Sequence, residues 1–259
     1  DQLHLPLLGT NVNFVAGGDV DNDGDTDLAA CEGNDAVIYQ KQGSQYLRIV
    51  VSSNIQTAPS FAAIADIDHD GSPDVLFGPF GSFNQAVLRI WWGDGSGQFA
   101  AAPHTDLGIL GQSSRPSLSD VDHDGGVDII LTKPPDNQLF TSTMLRNTGN
   151  RTFAGVPTTE YPLLDSGDSR AHFVDIDGDT FEDLLFVSRT GRTRLYWNNN
   201  GNFTEATVQE FPILQASLMG MALADLDGDG DRDLVFGGDT STGVMMRCVG
   251  PRQFQLSAT

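Results

Sequence analysis

The chain has 259 residues and is strongly acidic, with 35 Asp and Glu against 14 Lys and Arg and a formal charge of −21. That balance argues against nucleic acid or an anionic membrane as a partner, and no run of 18 apolar residues offers a membrane-spanning helix. Two cysteines are too few for a disulfide scaffold, and repeats that run from end to end without a Ser/Pro-rich linker read as one domain.

In chain order, the first repeat opens with the apolar stretch FVAGG, then the loop DVDNDGDTD from Asp19, then DLAAC, AVIYQ and a turn leading to Tyr46. The second has FAAIA, DIDHDGSPD from Asp66, DVLFG, VLRIWW and a turn to Phe99. The third has SLS, DVDHDGGVD from Asp120, DIILT, TMLRN and a turn to Phe153. The fourth has HFV, DIDGDTFED from Asp175, DLLFV, RLYWN and a turn to Phe203. The fifth has MALA, DLDGDGDRD from Asp225, DLVFG, VMMRC and a turn to Phe254. Runs this short suit strands and not helices. The loops start 47, 54, 55 and 50 residues apart, and a period of that size marks a supersecondary unit that buries its faces only against its neighbours. Four strands per repeat predict an all-β chain of propeller blades.

Each loop presents carboxylates at positions 1, 3, 5 and 9. They are Asp19, Asp21, Asp23 and Asp27; Asp66, Asp68, Asp70 and Asp74; Asp120, Asp122, Asp124 and Asp128; Asp175, Asp177, Asp179 and Asp183; and Asp225, Asp227, Asp229 and Asp233. A hard cation with about 6–8 oxygen ligands suits such a set, with water and the backbone carbonyl at position 7 (Asp25, Ser72, Gly126, Phe181, Asp231) completing the shell. Mg²⁺ prefers fewer protein ligands, and Zn²⁺ would want His or Cys. The expected cofactor is therefore calcium, up to five structural ions, which would bring the net charge from −21 to −11. An EF-hand would need Glu at position 12, where Ala30, Phe77, Leu131, Phe186 and Phe236 stand. Gly at position 6 allows a left-handed bend. In loop four Thr180 replaces it, which predicts strain there and a distorted, weaker or empty site.

These residues resemble the FG-GAP/VCBS repeat family, the calcium-bearing propeller blades of integrin α-chains and of many bacterial and fungal surface proteins. The resemblance rests on D-x-D-x-D-G-x-x-D before an apolar strand, and on the later N-x-G-x-F turn seen as NTGNRTF (Asn147 to Phe153) and NNNGNF (Asn198 to Phe203). It implies that the loop joins the two innermost strands of a blade, with all loops on one face. Integrins use seven blades; the expectation here is a five-bladed β-propeller, or else a fragment of a larger ring. The blades span approximately 11–53, 58–110, 112–166, 168–215 and 217–259, and residues 1–10 help to close the last. Cys31 and Cys248 then fall at opposite ends of a blade, too far apart for a disulfide, and are expected as buried free thiols.

Three constellations are candidates for binding a partner. Arg115, Arg170, Lys133, Arg189 and Arg192 gather with His172 on the non-metal face, either as an anionic-ligand groove or as salt-bridge partners of local acids. Trp92 and Trp197 share a column beside the metal face, where they could stack on sugar rings or fill the gap between blades. Asn150 and Asn202 open glycosylation sequons on turns. The loop residues His69 and His123 are expected to face solvent.

No nucleophile elbow or phosphate loop is present, and no catalytic residue is assigned. The leading expectation is a secreted or cell-surface, calcium-stabilised binding module for a glycan or protein, lectin- or adhesin-like. The competing readings are a polysaccharide lyase or dehydratase acting on uronate-containing sugar, with His172, Arg115 and Arg170 as candidates, and a scaffolding or adhesion domain of a larger protein. Nucleic acid and membrane insertion are not expected. The sequence does not indicate an oligomeric state.

Overall fold

The structure, a computed structural model, describes residues 11–55, 58–80, 86–110, 116–132, 143–156, 169–188, 193–203, 208–211, 218–238 and 243–257. The segment 1–10 and the side chains Arg115, Lys133, Arg189 and Arg192 lie outside them, so the expectations placed on these residues find no description here.

Among the described residues there is no helix, and the strands form five separate four-stranded sheets. Sheet one contains β1 (Val12–Gly18), β2 (Asp27–Glu32), β3 (Asp35–Gln42) and β4 (Gln45–Ser52). Sheet two contains β5 (Phe61–Ala65), β6 (Asp74–Phe80), β7 (Ala86–Trp91) and β8 (His104–Leu110). Sheet three contains β9 (Ser117–Ser119), β10 (Asp128–Leu131), β11 (Thr143–Asn147) and β12 (Phe153–Gly155). Sheet four contains β13 (Ser169–Val174), β14 (Asp183–Ser188), β15 (Arg194–Tyr196) and β16 (Val208–Glu210). Sheet five contains β17 (Leu218–Ala224), β18 (Asp233–Gly238), β19 (Val244–Gly250) and β20 (Gln253–Leu256).

Every sheet is a meander in which strands pair in chain order. The register at each first hairpin is the same. Gly18 faces Asp27, Ala65 faces Asp74, Ser119 faces Asp128, Val174 faces Asp183 and Ala224 faces Asp233. The aspartate-rich loop is therefore the hairpin between the first and second strands, and the antiparallel meander puts the turn between the third and fourth strands at the same end.

Chain contacts divide the molecule into two compact units. The first comprises Asp1–Ser114, Gly125–Val127 and Asn147–Phe153; the second comprises Arg115–Asp124, Asp128–Arg146 and Ala154–Thr259. In the first unit, sheets one and two share a core that includes Ile38, Val75, Phe77, Trp91 and Phe99. Every residue of β6 is buried, as expected of a strand covered on both faces. The approach of the two sheets requires a small residue on β1: a Cβ on Gly18 would lie 2.7 Å from Ile64. In the second unit, one cluster around Val121, Ile130, Phe186 and Tyr196 joins sheets three and four. Another, around Leu185, Trp197, Leu234 and Phe236, joins sheets four and five.

Cys31 is buried and free, and burial pushes its thiol up to about 12. Cys248 is also free, but it is half-buried and not enclosed as expected, because β19 keeps only part of its length under cover.

Where β7 leaves sheet two, the chain passes so close to the first hairpin that a Cβ on Gly93 would stand 2.0 Å from the carbonyl oxygen of Pro73. Backbone cannot give way as a flexible side chain can. Gly93→Ala is therefore expected to cost about 3 kcal/mol of stability, measured by guanidinium denaturation against the unaltered chain; an unchanged midpoint would contradict this packing.

Candidate metal centres

Each acidic hairpin gathers three carboxylates whose oxygens lie within 4.8 Å of one another. In loops two to five they are positions 1, 3 and 5: Asp66, Asp68 and Asp70; Asp120, Asp122 and Asp124; Asp175, Asp177 and Asp179; Asp225, Asp227 and Asp229. In loop one the set is Asp19, Asp21 and Asp27, while Asp23 Oδ1 accepts the Asp25 N–H at 2.8 Å. Oxygens that share a Ca²⁺ at about 2.3–2.6 Å can lie no farther apart than about 5 Å, so the spacing fits.

The backbone is wrapped around the first carboxylate. Asp19 accepts the amides of Asp23 and Gly24 at 3.2 and 2.8 Å, and Asp66 accepts those of Asp70 and Gly71 at 3.0 and 2.9 Å. Position 6 adopts the expected left-handed bend, with φ of 85° at Gly24, 87° at Gly71, 94° at Gly125 and 96° at Gly230. Thr180 is driven to 79° in loop four, where its amide still reaches Asp175 Oδ2 at 3.3 Å. The loop thus forms with a β-branched residue in the region least suited to it.

The ninth carboxylate has a role that the sequence reading did not anticipate. Asp27, Asp74, Asp128, Asp183 and Asp233 are all fully buried. Asp74 Oδ2 accepts Ile67 N–H at 2.9 Å and its Oδ1 accepts Gly93 N–H at 2.8 Å. Asp183 does the same for Ile176 and Asn198, and Asp233 for Leu226 and Cys248. Asp27 joins Val20 and Lys41 likewise. The ninth residue therefore ties the start of its loop to the third strand of its sheet. The signal was present in the sequence as an Asp opening every second strand, but an Asp in a metal motif reads first as a ligand.

The third carboxylate meets a donor in every loop. In three it comes from one column of the sheet's own third strand: Gln40 on Asp21, Arg146 on Asp122 and Arg247 on Asp227. In sheets two and four that column holds Trp92 and Trp197, and the donor arrives from the turn of the next sheet. Arg151 donates from Nε to Asp68 Oδ2 at 2.6 Å and from Nη2 to Asp70 Oδ2 at 3.0 Å. Arg252 repeats this on Asp177 at 2.6 Å and Asp179 at 3.3 Å. Where the column residue is long and polar, the facing turn position is glycine: Gly97 against Gln40 and Gly201 against Arg146.

These contacts leave one oxygen over. Oδ1 of Asp21, Asp68 and Asp122 is buried and has no hydrogen-bond partner among the described residues, and the Asp68 side chain is 9% exposed. A buried carboxylate oxygen without a donor is costly, and a cation in the loop would satisfy it. The all-oxygen donor set and these inward-facing atoms fit a hard divalent ion.

The other expected residues fall as follows. Trp92 and Trp197 are buried, 3% and 6% exposed, with the guanidiniums of Arg151 and Arg252 lying 5.0 and 4.8 Å over their rings. Neither offers the open face that a sugar-stacking platform needs, which corrects that reading; the gap-filling alternative describes them. His69 and His123 are exposed, yet His123 also stacks on Phe181 at 4.2 Å and His69 lies against Gly125, so loop three touches loops two and four. Of the basic sector, the structure describes Arg170 and His172. His172 Nε2 is enclosed without a partner among the described residues, and burial, then the charge of Arg170, push its pKa down. The N-x-G-x-F turn owes its Asn to packing: Asn147 and Asn198 are buried and donate at 2.8 Å to the carbonyls of Ile67 and Val121 in the preceding loops.

The profile of the FG-GAP-like repeat matches residues 19–77, 120–186 and 175–236, more than half of the chain. The chain belongs to the FG-GAP-like repeat family. No curated protein is significantly similar to it in sequence. Among solved structures it resembles an Agrocybe aegerita lectin that recognises non-reducing terminal N-acetylglucosamine, with a TM-score of 0.61, 18% identity and 93% of this chain covered. A biofilm matrix protein of V. cholerae aligns at a TM-score of 0.42 and 20% identity over 86% of the chain. The chain spans 64% of the lectin and 34% of the biofilm protein. The likeness to the lectin is one of fold.

Two outcomes follow for the FG-GAP loops. Thr180→Gly should raise thermal stability by about 1 kcal/mol, since relief of the left-handed strain exceeds the added flexibility of glycine; a lower melting temperature would refute the strain. In the metal-free protein, burial, then the nearby loop carboxylates, push Asp74 and Asp183 up to about 7 against two backbone hydrogen bonds each. A raised folded pKa gives a stabilising contribution that is complete below 3.8 and lost as pH rises through about 7. Carboxyl-carbon NMR in chelator should therefore find Asp74 and Asp183 titrating near neutrality.

Proposed function

We propose that this FG-GAP protein is a calcium-stabilised β-propeller module, each four-stranded sheet a blade, that binds a glycan outside the cell. The observation that carries the ligand reading is a pair of cavities beside loops two and four, each with a Trp–Arg pair in its wall. One, of 440 Å³, is lined by Trp92, Arg151, Asp70, Asp94, Gln98 and Pro103. The other, of 230 Å³, is lined by Trp197, Arg252, Asp177, Asp231, Arg232 and Phe254. Each combines an indole edge with a guanidinium and carboxylates, the mixture of apolar wall and few convergent polar groups that small polar ligands require. The fold shared with a lectin adds weight to the reading, and among the described residues no arrangement of acid and base favours the competing lyase or dehydratase.

Calcium supports the module in this reading by neutralising the hairpin carboxylates and satisfying the enclosed oxygens. Sites of extracellular modules saturate at about 10⁻⁴–10⁻³ M, a concentration met outside cells.

Chelation is the first test. A site held at ten times its Kd adds about 1.4 kcal/mol, so emptying several sites should lower the melting temperature by about 10 °C or more. A glycan array run with calcium and with chelator is the second, with binding expected in calcium. A melting temperature unmoved by chelator, or a blank array in calcium, would overturn the corresponding half of the proposal.

A further inference from the structure

The guanidiniums of Arg151 and Arg252 stand between two environments. One side of each faces loop carboxylates: Asp68 and Asp70 for Arg151, Asp177 and Asp179 for Arg252. The other side belongs to the wall of a cavity and lies over an indole. Arg146 and Arg247 differ in reaching a single loop carboxylate from within their own sheet, and Arg232 in reaching only Asp175 from the next loop. Arg151 and Arg252 alone among these bridge the third and fifth carboxylates. In the metal-free chain each is the counter-ion of its loop.

A divalent ion changes that assignment. Held by the same carboxylates it would supply twice the charge at shorter range, and in loop two it would meet Asp68 Oδ1, which has no hydrogen-bond partner among the described residues. The guanidinium is then no longer needed by the loop. It would remain over the indole, held by cation–π attraction, in the wall of the cavity that it already lines. A planar fork of N–H donors matches a carboxylate in bidentate fashion. In the cavity of sheets four and five, Arg232 adds a second guanidinium.

Resting on the calcium reading, we infer that these two cavities are carboxylate-recognition sites, selective for an acidic sugar, that calcium opens by taking over the loop charge from Arg151 and Arg252. Ligand and calcium thus bind cooperatively, although they never touch the same oxygen.

The test uses the full chain, titrated with methyl β-glucuronide and with its methyl ester, in millimolar calcium and in chelator, followed by heat and by tryptophan fluorescence. In calcium the acid should bind at least about tenfold more tightly than the ester, and that preference should vanish in chelator. Arg151→Ala and Arg252→Ala should each remove about half of the binding capacity for the acid. Should an alanine variant fail to fold, Arg151→Lys keeps the charge without the fork and should lose the preference for acid over ester. Equal binding of acid and ester, equal binding of the acid in chelator, or no binding of either overturns the proposal. A melting temperature indifferent to calcium removes instead the calcium reading beneath it.

Discussion

Crowding of carboxylates at the hairpin ends is the constraint from which the rest of the molecule follows. Three acidic oxygens within 4.8 Å repel one another in each loop, and the ninth carboxylate, one of the three in loop one and a fourth in the others, is fully buried. Two carboxylates about 4 Å apart oppose each other by about 4 kcal/mol at an effective dielectric constant of about 20. Such a loop cannot persist on backbone geometry alone. The protein answers with backbone amides wrapped on the first and ninth residues and with Gln or Arg on the third. Local chain shape, strand register and charge compensation are one problem solved five times.

The solution reaches beyond each sheet. Within the first unit the turn after β11 brings Asn147 to Ile67 and Arg151 to loop two. Within the second, the turns after β15 and β19 bring Asn198 to Val121 and Arg252 to loop four. A repeat that packs against its neighbour only through apolar faces could slide; buried amide donors on specific carbonyls fix the depth at which the sheets meet. The paired choice of Trp with Arg and of a long polar side chain with Gly shows that two positions in different repeats share one space. A tryptophan fills the column that a long donor would otherwise occupy, and the donor then comes from across the gap.

Much of this was legible in the sequence. The five-fold spacing, the strand lengths and the left-handed position 6 follow from local chemistry, and local chemistry is what a single sequence displays. The role of the ninth aspartate was harder, because a carboxylate that ties Ile67 to Gly93 is written with the same letter as one that holds a metal. The arginine bridges were not legible at all: Arg151 and Asp68 are 83 residues apart, and nothing in either segment names its partner. The same limit affected the tryptophans. Their shared column could be read by aligning repeats, but whether an indole is open to solvent depends on a residue of another repeat.

The difference among the loops has a consequence for how an acidic protein acquires a binding site for acids. Its net charge of −21 repels an anionic ligand at long range. Screening confines that repulsion to about 8 Å at physiological ionic strength, so what decides binding is the charge within the cavity wall. On the proposed reading the loop sets that local charge around Arg151: three carboxylates and one guanidinium sum to −2, and a divalent ion held by the loop would bring the sum to zero and free the guanidinium from its carboxylates. A surface of uniform basic character would bind any anion without regard to calcium. In that reading a guanidinium shared between an internal counter-ion and an external ligand would respond to both, and the indole beneath it would keep it in place during the exchange.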